Sequence, residues 1–166
     1  MSKDQGLLGK GFGNPYDRDS FKSYQEIVNS GRFAFPIDES NLDDRLSSGD
    51  QVFAVQVGQR HGAYRLTGSP DSVINDSVAN RDIVVIIRQS GPSCFASFAD
   101  VYGRSLGFSL MDSTLVDDET KTVWNESGKA ISGQLKGLQL EAVPSRTSYW
   151  VSLVGSLPDI ELRLLK

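Results

Sequence analysis

The chain has 166 residues, a net charge of -4 and one cysteine. Its length suits one domain with a single substantial core, and its acidic balance disfavours nucleic acid or an anionic membrane as a partner. One cysteine closes no internal disulfide, and no apolar run is long enough for a signal peptide or a membrane span, so we expect a cytoplasmic protein unless a leader has been removed.

Glycine, proline and charged residues dominate the first 19 residues, "MSKDQGLLGKGFGNPYDRD". Such a composition offers little apolar surface to bury. We therefore predict that residues 1–19 form a flexible leader or docking arm. Residues 20–166 are predicted to form a single β-rich domain.

A short amphipathic helix is predicted directly after this leader. Phe21, Tyr24 and Ile27 follow helical spacing in "SFKSYQEIVNSGRF", with Ser20 as the expected N-cap and Gly31 as the expected stop. The acidic stretch that follows, "FPIDESNLDDRLSSGD", indicates a solvated loop with at most one helical turn before the first strand.

From Gln51 the apolar residues change to a period of two, which is typical of strands. "QVFAVQVGQRHGAYRLT" predicts a hairpin that turns near Gly58. "DIVVIIRQ" is a continuous apolar run and predicts a central strand that is buried on both faces. Short segments separated by glycines follow, as expected for an antiparallel meander, sandwich or partly open barrel.

The C-terminal stretch changes back to a helical pattern. In "TSYWVSLVGSLPD" the apolar residues form a helical stripe that Pro158 ends, and "IELRLL" then predicts an edge strand. The sequence thus predicts an α+β, mainly β fold, in which an antiparallel sheet, sandwich or partly open barrel carries one N-terminal and one C-terminal helix.

Three stretches resemble one known family. They are "GQRHGAYRL" with "SVINDSVANRDIVVIIRQSGPSC", then "DSTLVDDETKTVWNESGKAISGQLKGLQLEAV", and finally "YWVSLVGSLPDIEL". Together they resemble, in order, the motifs of the domain of unknown function 3179 family (DUF3179) over roughly the last two thirds of the chain. Because the activity of that family is not established, the resemblance implies a fold and candidate positions more than a reaction.

The chain departs from the family pattern at two places. Members often carry Cys-Pro-x-Cys after the central strand, whereas this chain has Gly91 where the first cysteine would stand. A histidine often precedes the Asn-Asp pair, but none lies close before Asn75 and Asp76. The resemblance therefore implies a divergent member that lacks part of any thiol or imidazole site.

Cys94 and His61 are the candidate catalytic residues, because a thiolate with an imidazole base is the one nucleophile pair that the chain can form. One cysteine and one histidine are too few for dithiol exchange or a zinc site, so we expect no metal and no cofactor. The competing interpretation is that Cys94 is a small buried apolar residue and that His61 is an exposed loop histidine.

The ligand-groove candidates are Asn75, Asp76, Trp124 and Asn125. A tryptophan and an amide beside glycine-rich backbone can line a groove, although the same residues also describe tight turns around a core aromatic. Asn75 and Asp76 are predicted to form an Asx turn. The nearby acidic run of Asp112, Asp117, Asp118 and Glu119 is predicted to be a solvated turn, without the spacing of a calcium loop.

Two functional hypotheses follow from these residues. The favoured one is a non-catalytic binding or assembly module, an accessory subunit that contacts a protein partner through residues 1–19 and binds no nucleic acid. The alternative is an enzyme or metal-handling protein that uses Cys94 with His61. The sequence does not fix the oligomeric state.

Overall fold

The computed structural model describes residues 26–30, 43–89 and 93–163. Residues 26–29 are helical (α1), and the second helix (α2) spans Trp150–Ser156. The strands in chain order are β1 Gln51–Val57, β2 Arg60–Arg65, β3 Ser72–Val78, β4 Arg81–Arg88, β5 Ser93–Phe98, β6 Asp100–Val101, β7 Arg104–Ser105, β8 Phe108–Met111, β9 Thr114–Asp117, β10 Val123–Trp124, β11 Ala130–Ser132, β12 Ser145–Tyr149 and β13 Glu161–Arg163. The predicted leader and both predicted ends of the first helix, Ser20 and Gly31, lie outside the described residues.

These strands form three larger sheets and one two-stranded ribbon. The first sheet has the order β12-β1-β2-β13, the middle sheet β3-β4-β5 and the third sheet β11-β10-β9-β8, while β6 and β7 form the ribbon. Neighbouring strands are antiparallel except for β13, which runs parallel to β2 at the edge of the first sheet. This arrangement confirms the predicted mainly-β α+β fold, without a closed barrel among the described strands.

The middle sheet is buried between the other two. Ile83, Val85 and Ile87 of β4 pack in a first core cluster against the first sheet. Val84 and Ile86 point the other way, into a second core cluster against the third sheet. The continuous apolar run of β4 therefore supplies both clusters, which confirms its predicted central place.

Helix α2 covers part of the outer face of the first sheet. Trp150, Leu153 and Val154 pack on Val52 and Ala54 in a third core cluster. The N–H groups of the first helical turn, which have no partner within a helix, donate to the loop before β1 (Trp150 N to Asp50 O, 2.8 Å; Val151 N to Ser48 O, 3.2 Å). The helix ends before Pro158, as the sequence predicts.

The hairpin of β1 and β2 turns where the glycine spacing predicts. Gly58 has a φ of +59°, a left-handed conformation that glycine adopts without strain. The register that follows pairs Gln56 with His61 and Ala54 with Ala63. His61 is thus a strand residue rather than the predicted loop histidine, and the face on which it lies is fixed by the register.

Candidate functional site

Cys94 lies in β5 beside the first core cluster. It pairs with Ile87 of β4, and its half-buried side chain packs against apolar side chains between the first and middle sheets. Burial raises the pKa of the Cys94 thiol. A raised pKa lowers the fraction of thiolate at neutral pH, and the thiolate is the form that attacks electrophiles or binds metals.

His61 lies on the other face of the first sheet. Side chains alternate along a strand, so His61 shares the face of Ala63, which packs in the third core cluster beneath α2. Tyr64 points to the opposite face and packs in the same cluster that Cys94 contacts. The backbone of the first sheet therefore separates the imidazole from the thiol, and the fold does not bring this candidate pair together.

Asn75 lies in the middle of β3, so the predicted Asx turn is wrong. Its side-chain amide donates to Phe108 O (2.8 Å) and its carbonyl oxygen accepts from Phe108 N (2.9 Å). The side chain thereby imitates a strand and joins the middle sheet to β8 of the third sheet. Both of its polar atoms are used in holding the two sheets together.

Asp76 is also a strand residue with internal partners. Its carboxylate accepts from Tyr64 Oη (2.8 Å) and lies 3.5 Å from the Arg163 guanidinium. Burial, reinforced by the hydrogen bond to Asp76 and by its negative charge, raises the pKa of the Tyr64 hydroxyl. Asp76 therefore supplies the partner that a fully buried tyrosine needs.

Asp117 is a third polar residue whose environment differs from the sequence prediction. It is fully buried rather than solvated, and its carboxylate accepts from Trp124 Nε1 (2.9 Å), Thr122 N (3.1 Å), and both the N–H and the hydroxyl of Thr120. Burial alone would raise the pKa of Asp117, but these hydrogen bonds together lower the pKa below its usual value. The carboxylate thus remains ionised while it holds the β9–β10 turn and Trp124 in place.

A glycine-rich segment packs against the same turn, which agrees with the structural interpretation of its glycines. Gly133 has a φ of +101°, and a Cβ added there would lie 2.8 Å from Thr122 Cα. A register shift between Val123 and Trp124 marks a bulge opposite β11. The motif around Trp124 is therefore first a structural device that fixes a fully buried aromatic side chain.

Trp124 and Asn125 also line an open groove, which we call the Arg88 groove. It encloses about 430 Å³. Its lining residues are Arg88, Ser113, Thr114, Leu115, Trp124, Asn125, Glu126 and Ser127. Sequence reasoning missed Arg88, although its position at the end of the apolar β4 run, where a charge needs a partner, was the available signal.

The polar groups of this groove are held by internal bonds. Arg88 Nε donates to Glu126 Oε1 (2.7 Å) and Nη2 donates to Ser113 O (3.1 Å), while only 12% of its side chain is exposed. Asn125 Oδ1 accepts from Lys129 N and from the Ser127 hydroxyl, both at 2.8 Å. These two bonds fix the orientation of the Asn125 side chain, and with it the direction of the Nδ2 donors.

Within the described ranges, no group of three or more His, Cys, Asp or Glu side chains is arranged to hold a metal ion. None of the helices in that part of the chain has the length and apolar character that crossing a membrane requires.

Comparison with known proteins identifies the family. The family model described as "Protein of unknown function (DUF3179)" matches residues 7–159, and the chain belongs to this family. No curated protein and no solved structure matches the chain.

Proposed function

We propose that this member of the DUF3179 family is a non-catalytic binding or assembly module, and that its Arg88 groove receives an extended segment of a protein partner. The observation that carries the proposal is the set of internal bonds that fixes Arg88, Glu126 and Asn125 along one open groove. Groups that are already ordered lose little conformational entropy on binding, so a fixed wall favours recognition.

The remaining candidate residues support a non-catalytic role. Asn75, Asp76 and Asp117 use their polar atoms to join strands or to hold buried aromatic side chains. The alternative chemistry requires contact between Cys94 and His61, which lie on opposite sides of the first sheet. A binding role needs neither a displaced proton nor a free thiolate, so it is compatible with all of these assignments.

The shape and chemistry of the groove favour an extended polypeptide. Its walls offer amide, hydroxyl and carboxylate groups in addition to the partly shielded arginine. A main chain presents alternating donors and acceptors that such groups can satisfy. The proposed contact through residues 1–19 remains a prediction, because those residues lie outside the described part of the chain.

Comparative purification from the cells that naturally make the chain tests this proposal. Ser127→Trp fills the groove from its exposed rim, whereas Ser105→Trp places the same bulk on exposed β7 outside the groove. We expect a specific protein to copurify with the natural chain and the Ser105 variant but not with the Ser127 variant. Equal recovery with both variants would contradict the assignment of the groove.

A further inference from the structure

A second groove, which we call the His61 groove, lies on the outer face of the first sheet. It encloses about 330 Å³. Its lining residues are Ala54, Val55, Gln56, His61, Pro144, Ser145, Arg146 and Leu157. It shares none of these residues with the Arg88 groove, so it is a separate candidate site.

The groove lies beyond the C-terminal end of α2, which covers less of the sheet than β1 with the same number of residues, because a helix rises about 1.5 Å per residue and a strand about 3.3 Å. The helix has seven residues and its C-cap is Leu157, which forms one wall of the groove. The strand register places Ala54 beside Arg146 and Gln56 beside His61. Beyond the end of α2, the outer face of the sheet therefore carries polar and cationic side chains instead of helix contacts.

The floor of the groove is aliphatic. Ala54 is 5% exposed and faces the groove, and Pro144 and Leu157 complete the apolar lining. Val55 borders the groove through its backbone, because its side chain packs in the first core cluster on the opposite face. A volume of this size lies at the lower end of the range for small-molecule sites, roughly 300–1,000 Å³. The groove thus suits a short hydrocarbon chain more than a large ligand.

The ionisable side chains that line the groove are all basic. They are Arg146 and His61, with no aspartate or glutamate among the lining residues, although the whole chain has a net charge of -4. Among the described residues, Arg146 forms no salt bridge, whereas Arg88 in the other groove is paired with Glu126. An unpaired guanidinium over an apolar floor complements an anion that carries an apolar tail.

The carbonyl groups at the C-terminus of α2 carry partial negative charge and would repel an anion, but some of these carbonyl oxygens already accept hydrogen bonds. The Ser156 hydroxyl donates to Ser152 O and Leu153 O at 3.1 Å, and Leu157 N donates to Leu153 O at 2.8 Å. Like any α-helix, α2 leaves its last carbonyl groups without partners inside the helix, and these groups carry only partial negative charge. The guanidinium charge of Arg146 outweighs these partial charges.

We propose that the His61 groove binds a small monocarboxylate with a short aliphatic chain. The carboxylate pairs with Arg146 and accepts a hydrogen bond from His61, while the hydrocarbon chain lies along Ala54 and Leu157. A guanidinium binds a carboxylate through two parallel N–H···O bonds, which gives preference for this head group over a neutral one.

Calorimetric titration of the full chain at low ionic strength separates the contribution of the carboxylate head group from that of the hydrocarbon chain. Hexanoate carries both the head group and the tail, acetate carries the head group without the tail, and hexylamine carries the tail with the opposite charge. We expect saturable binding of hexanoate, with acetate and hexylamine each about tenfold weaker or more, the loss that one charge-assisted bond or a few buried methylenes predicts. Equal binding of hexylamine and hexanoate, or no saturable binding of hexanoate, would overturn the proposal.

Variants of the lining residues locate the site. Arg146→Gln should weaken hexanoate binding by about tenfold or more, because the charge-assisted pair of hydrogen bonds from the guanidinium is lost. His61→Phe, which keeps a ring but removes the donor, should weaken it by a smaller factor. Arg104→Gln removes another exposed arginine from β7, outside the groove, and should leave the affinity unchanged. If Arg104→Gln weakens binding as much as Arg146→Gln, the interaction is a general charge effect and the site assignment is wrong.

Discussion

The Arg88 groove and the His61 groove each contain one arginine, but the two arginines are held differently. Arg88 is 12% exposed and bonded to Glu126 and to Ser113 O. Arg146 is exposed, with no salt bridge to the described residues. The contrast shows that the Arg88 guanidinium is used within the fold, whereas the Arg146 guanidinium is exposed, as our proposal of an anionic ligand requires.

The largest expected effect comes from the carboxylate behind the Arg88 groove. Asp117→Ala leaves the buried donors of Trp124, Thr122 and Thr120 without their acceptor. We expect a loss of about 3 kcal/mol or more in the free energy of unfolding, measured by urea denaturation. Asp118→Asn, at the exposed neighbouring position, is the control and should change the free energy by less than about 0.5 kcal/mol. Similar losses for both variants would show that the burial of Asp117 does not matter.

Replacing each arginine by glutamine tests whether Arg88 stabilises the fold more than Arg146 does. Arg88→Gln breaks a charge-assisted hydrogen bond to Glu126 in a mostly buried setting, and we expect it to lower the free energy of unfolding by about 2 kcal/mol. Arg146→Gln should change it by less than about 0.5 kcal/mol, as is usual for an exposed side chain. Urea denaturation of both variants measures the difference, and equal losses would remove the distinction between the grooves.

Acid pH should remove the stabilisation that the ionised Asp117 carboxylate contributes to the fold. Since the pKa of Asp117 is lower in the folded protein than its usual value, folding favours the ionised form. Its stabilisation is present above the unfolded pKa and is lost as the pH falls through the folded pKa, so the free energy of unfolding should decline below about pH 4. Asp117→Asn should flatten this part of the pH profile relative to Asp118→Asn, as urea denaturation at several pH values would detect. An unchanged slope in the Asp117 variant would contradict the assignment.

Of these changes, replacement of Cys94 is expected to have the smallest effect. Because burial raises the pKa of its thiol, a thiol reagent at neutral pH should react more slowly with the folded protein than with the protein in denaturant. Cys94→Ala should have little effect on binding at either groove, because Cys94 lines neither of them. Fast labelling of the folded protein, with a reaction midpoint below that of a free thiol, would instead favour the alternative with His61.

The sequence predicts elements well where one local pattern determines them. The all-apolar run of β4 predicted its central place, and the stripe from Tyr149 to Leu157 predicted α2. Tyr149, the first residue of that stripe, is instead the last residue of β12. This strand pairs with β1, about a hundred residues earlier in the chain, and a local sequence pattern does not show such a distant partner.

The polar residues were harder to interpret for the same reason. Asn75 and Asp76 favour turns locally, but seven paired positions between β3 and β4 override that preference. Asp117 resembles its solvated neighbours in sequence, and only the folded β9–β10 turn brings Trp124 Nε1 to its carboxylate. Trp124 and Asn125, which the sequence marked as ligand-groove candidates, line a groove in the structure. Arg88 lies beside them, and its position at the end of the apolar β4 run marks a charge that needs a partner without showing which groove it borders.

Photo-crosslinking from the rim of the Arg88 groove reports directly whether a protein partner occupies this groove. A photoreactive amino acid with a small aliphatic diazirine, which does not fill the groove as tryptophan does, is placed at Ser127 in one variant and at Ser105 in the other, and each variant is irradiated in the cells that naturally make the chain. We expect one discrete crosslinked protein from position 127, abolished by Arg88→Gln or Asn125→Ala, and no such product from position 105. The same product from both positions, or none from position 127, would contradict a binding role for this groove.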